Sequence, residues 1–90
     1  MARDLKTFLT AFHALPNGNF EAIYQGRRYG MTKTLREGKR QAWFWAEERG
    51  GTDKISFNLY FLKSGARLKP CEMPEDKVID FVLFAKPTQL

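Results

Sequence analysis

Apolar residues near the start of the chain recur at Leu5, Phe8, Leu9, Phe12 and Leu15. Spacings of three and four residues make one helical stripe, so a helix is predicted over 4–15. Asp4 is placed to cap it, and Pro16-Asn17-Gly18 to stop it. A second stripe, Val78, Phe81, Val82 and Ala85, predicts a helix over 74–85. Pro74, Glu75 and Asp76 suit its start, and Pro87 its end. Ile79, Leu83 and Phe84 widen that stripe beyond one face. A helix this apolar is deeply buried or covered in part by another subunit.

Between the helices the period changes to two. Strands are predicted at 20–25, 28–36, 39–47 and 54–62, with a short edge strand at 67–69 closed by Pro70. Gly26-Arg27, Glu37-Gly38, Gly50-Gly51 and Lys63-Ser64-Gly65-Ala66 supply the turns. One stretch has a competing form. Thr34 to Glu37 resembles a capping box, and Gly50-Gly51 can end a helix over 35–49. The internal Gly38 and the Trp43-Phe44-Trp45 run favour strand. The expected fold is therefore α+β: an antiparallel meander of four or five strands, with both terminal helices on one face of a single domain.

Alternation then sorts the side chains. If Arg36 faces Lys39 across a tight turn, Thr32 faces Trp43 and Met31 faces Phe44. If Glu47 faces Lys54, Phe44 faces Phe57 and Ala46 faces Ile55. One sheet face then holds Met31, Leu35, Ala42, Phe44, Ala46, Ile55, Phe57, Leu59 and Phe61, a core with Lys33 as its misfit. The other carries Arg28, Thr32, Thr34, Arg36, Trp43, Trp45, Ser56, Asn58 and Tyr60. Two indoles on a polar, basic face call for a cover. Single-stranded nucleic acid would stack on them. A protein partner or second copy would bury them. A one-residue register slip, or helices on both faces, would instead place them in the core.

The chain has 90 residues, a net charge of +5 and 14% aromatic residues. Large rings help so short a chain build a core. The whole net charge lies in residues 1–45, mostly over 27–40. That asymmetry suits an anionic partner, although a basic surface also serves solubility. The run 81–85 is too short to span a bilayer, and no secretory segment opens the chain, so a cytoplasmic protein without membrane contact is expected. Single cysteine and histidine residues, Cys71 and His13, offer neither a disulfide nor a metal cluster. Both read as packing residues, Cys71 being the sole candidate for a reactive thiol.

No phosphate loop, nucleophile motif or carboxylate pair in a cleft is evident, so neither an enzyme nor a cofactor is expected. The order helix, strands, helix is similar to that of double-stranded-RNA-binding domains. Those domains start their last helix with a basic cluster, however, whereas here Pro74-Glu75-Asp76 is acidic. No residue role is carried over. The leading expectation is a small basic module that binds nucleic acid, single-stranded by preference. Arg27, Arg28, Arg36, Lys39 and Arg40 would meet phosphates, and Trp43, Trp45 and Tyr60 would stack on bases. The alternative is a protein-interaction module or homodimer that buries the same rings.

Overall fold

The structure is a computed structural model that describes residues 5–36, 38 and 40–88. The chain runs α1 (Leu5–Ala14), β1 (Gly18–Tyr24), β2 (Arg27–Arg36), β3 (Gln41–Glu48), β4 (Lys54–Leu62), β5 (Gly65–Pro70), α2 (Glu75–Phe84) and β6 (Lys86–Pro87). All strands pair antiparallel in one open sheet of order β5-β4-β3-β2-β1-β6. The fold is α+β, and both helices lie on one sheet face. The segment 41–48 is strand, so the helix alternative over 35–49 is not realised. Pro87, expected only to end the last helix, joins Lys86 in a two-residue edge strand paired with β1. Among the described residues, no helix is long and apolar enough to cross a membrane.

The core is built mainly of rings. Phe8 and Phe12 of α1 and Phe81 of α2 pack on Phe44, Phe57 and Tyr29 of the sheet. Phe44 and Phe57 are cross-strand partners, stacked 5.0 Å apart. Ala42 and Ala46 flank Phe44 on the covered face, where both are fully buried. In the sequence Ala42-Trp43-Phe44-Trp45-Ala46, the small residues and the phenylalanine thus face the helices and the indoles face away.

The expected β3–β4 register is the observed one, with Glu47 opposite Lys54 and Phe44 opposite Phe57. The β2–β3 register differs. Arg36 pairs with Gln41, so the connection spans 37–40 rather than being a two-residue turn at Glu37-Gly38. Thr32 therefore faces Trp45, and Thr34 faces Trp43. This slip of two residues keeps every side chain on its expected face, because the pleat repeats every two. The first hairpin turns at Gln25-Gly26, one residue earlier than expected. Both have positive φ, 51° and 75°, which glycine adopts at little cost and which two-residue hairpin turns need.

Two polar links tie α2 to the sheet, one direct through Asp80 and one from Lys77 relayed through Asp53 to Tyr29. The Tyr24 hydroxyl donates to the Asp80 carboxylate. The Tyr29 hydroxyl donates to Asp53 Oδ2 at 2.7 Å, and Lys77 Nζ donates to Asp53 Oδ1 at 2.6 Å. Burial, then the hydrogen bond to Asp53, raises the Tyr29 pKa far above its ordinary value. Burial alone would raise the Asp53 pKa, but its hydrogen bonds from Lys77 and Tyr29 outweigh that and hold it below normal.

Lys33, the misfit of the covered face, is 3% exposed. Its ammonium donates to the carbonyls of Phe12 at 2.7 Å and Leu15 at 2.9 Å, and lies 4.5 Å from the centre of the Phe12 ring. These carbonyls sit at the C-terminal end of α1, where backbone acceptors lack helical partners and the dipole favours a cation. A strand lysine thus closes a helix far away in sequence. Its desolvation lowers the lysine pKa from 10.5.

Candidate nucleic-acid interface on the open sheet face

The face turned away from the helices is laid out by cross-strand pairing. One row runs Lys69, Asn58, Trp43, Thr34 from β5 to β2. Beside it run Arg67, Tyr60, Gln41, Arg36 on one side and Ser56, Trp45, Thr32, Asn19 on the other. Trp43, Trp45 and Tyr60 are half-buried, so they belong to this face and not to the core. The two indoles are two residues apart on one strand, about 7 Å along it. Tyr60 is diagonal to Trp43, within reach of a neighbouring ring.

The cations expected to meet phosphates do not all gather here. Arg36 is exposed and lies 5.8 Å from the Trp43 ring centre. Arg28 is exposed at the other end of β2, eight residues and about 27 Å away. Arg27 shares the pleat side of Tyr29, and its guanidinium lies 3.4 Å from the Glu48 carboxylate. It is therefore held off the aromatic face. Arg40 is exposed in the connection before β3, and its carbonyl accepts the Phe61 amide at 2.8 Å. Lys39 lies outside the described residues.

Arg67 and Lys69 were not singled out from the sequence, yet the β4–β5 register puts both exposed side chains beside Tyr60 and Asn58. The signal was available in the alternation of β5: Ala66, Leu68 and Pro70 are half-buried while Arg67 and Lys69 are exposed. The aromatic face gathers Arg28, Arg36, Lys54, Arg67 and Lys69, none with a carboxylate partner among the described residues. Its acids are Glu21 and Glu47, opposite Gly30 on either side.

Around Gly30 the face has a hollow of about 320 Å³. Its lining includes Asn19, Glu21, Thr32, Trp45, Glu47 and Arg49. A Cβ at Gly30 would meet the Arg49 guanidinium, with Nη2 at only 2.4 Å. The Arg49 side chain lies back over the bare backbone, and Glu21 holds it at 3.5 Å. The Arg49 amide is anchored on the Arg28 carbonyl at 2.8 Å. A glycine inside a strand is the sequence signal for such a close approach, but it does not name the approaching group. Glu47 has no hydrogen-bond or ion-pair partner among the described residues.

No group of three or more metal-ligating side chains occurs among the described residues. Cys71 is half-buried, with its amide bonded to the Ser56 carbonyl at 2.9 Å. His13 stacks on Phe61 with ring centres 5.6 Å apart. No protein-family model, curated protein or solved structure matches the chain.

Proposed function

We propose that this protein is a non-enzymatic module that binds single-stranded nucleic acid on its open sheet face. Bases stack on Trp43, Trp45 and Tyr60, while Arg28, Arg36, Lys39 and Arg40, joined by Arg67 and Lys69, meet phosphates. The observation that carries this reading is the placement of half-buried rings on a face no helix covers, with the exposed cations Arg36, Arg67 and Lys69 on the same face. Flat rings bind bases only where bases are unstacked, which favours a single strand over a duplex. The cytoplasm, where a lone cysteine stays reduced, is the compartment this reading assumes.

The test is fluorescence anisotropy of labelled single-stranded and duplex oligonucleotides across a salt series. Six phosphate contacts give a log–log slope of about −4 for a single strand. Arg36→Ala and Arg67→Ala should each make that slope shallower by about 0.7. A salt-insensitive dimer that binds no strand would instead assign the face to a second copy of the chain.

A further inference from the structure

The hollow at Gly30 is chemically unlike the rest of the face. The neighbouring rows offer rings, hydroxyls and cations; the hollow sets Glu47, which makes no hydrogen bond or ion pair among the described residues and faces Lys54 across the strands, beside the Arg49 guanidinium, which pairs with Glu21. Its volume of about 320 Å³ lies at the small end of ligand sites, about 300–1,000 Å³. That is room for one flat group rather than a length of chain.

We infer that this hollow holds a single guanine base of the bound strand, an inference that rests on the nucleic-acid reading of the face. Guanine presents two acceptors, O6 and N7, which suit the fork of an arginine. It also presents two donors, N1–H and the N2 amine, which suit a carboxylate. The hollow supplies both partners: Arg49, held over Gly30 by Glu21, and Glu47, which has no other partner among the described residues. Trp45 borders the same hollow and supplies a ring for the base plane. Adenine lacks O6 and N1–H, and thymine lacks the amine, so neither satisfies both groups. The Thr32 hydroxyl is already engaged with Asn19 Oδ1 at 2.7 Å, which leaves Glu47 and Arg49 as the discriminating pair.

The experiment compares binding of a short oligothymidylate with the same strand carrying one central guanosine or one central adenosine. The wild-type protein should bind the guanosine strand about tenfold tighter than either other strand. Glu47→Gln and Gly30→Ala should each remove that preference and leave oligothymidylate binding in place. Gly30→Ala displaces only a flexible Arg49 side chain, since the Gly30 backbone is outside the positive-φ region. Unchanged circular dichroism and melting would certify both variants as folded. Salt-dependent binding of all strands with equal affinity would overturn the guanine site and leave the face reading standing. A guanosine preference that survives both variants would also overturn it. No binding of any strand would overturn both readings together.

Discussion

Lys33→Met removes the ammonium that closes α1 while keeping an unbranched chain in its place. Two charge-assisted hydrogen bonds are lost, to Phe12 and Leu15. The Phe12 carbonyl keeps the Leu15 amide at 3.1 Å, so Leu15 loses the more important donor. A buried acceptor left without a partner costs about 1–3 kcal/mol. Against this, the variant no longer buries an ammonium, and the lowered lysine pKa shows that burial is unfavourable to the charge. The expected net loss is about 1–2 kcal/mol, or about 4–15 °C in Tm for a domain of this size.

The pH dependence reports the burial of the ammonium separately from the packing of its chain. A lysine whose folded pKa lies below 10.5 binds fewer protons in the folded than in the unfolded state between those two values. Wild-type stability therefore gains from Lys33 as pH rises through the lowered folded value toward 10.5, and the gap to the variant widens. Tyr29, with its raised pKa, acts oppositely above pH 10 in both proteins and cancels in the difference. Urea melts of both proteins between about pH 7 and 10 provide the assay. A variant equal to or more stable than wild type at pH 7 would refute the assignment of Lys33 as the closing group of α1, and a gap that does not change with pH would refute the lowering of its pKa by burial.

Further predictions divide the two faces of the sheet. Phe44→Ala, a fully buried ring, should cost about 3–5 kcal/mol in urea unfolding. Trp43→Ala should weaken single-strand binding by about 1–3 kcal/mol with little loss of Tm; a large Tm drop would place the ring in the core. Asp53, with its lowered pKa, should contribute stability above pH 3.8 that is lost as pH falls through its folded value. Asp53→Asn should flatten that acid limb in thermal melts, and an unchanged limb would remove the Tyr29–Asp53–Lys77 link from the account of how α2 is held.

The sorting of side chains by face was legible because one face is buried and the pleat alternates strictly. That is why a register wrong by two residues between β2 and β3 still put Trp43 and Trp45 on the open side. The register itself was not legible, since it depends on the length of the 37–40 connection, and Gly38 alone does not fix that length. Arg67 and Lys69 were obscured by the brevity of β5, whose glycine and proline ends mimic a loop. β6 was hidden because Pro87 reads as a terminator, although an edge strand tolerates proline. The hollow was the least legible feature. It arises from a strand glycine meeting the side chain of Arg49, nineteen positions on, and no local pattern encodes that meeting.

The most direct measurement is intrinsic tryptophan fluorescence, since Trp43 and Trp45 are the only indoles and both lie on the proposed binding face. Titration with single-stranded oligonucleotide at low salt should quench it, and moderate salt should weaken the binding steeply. Unchanged emission at low salt, where phosphate contacts are strongest, would contradict the proposed face and leave its rings to a protein partner.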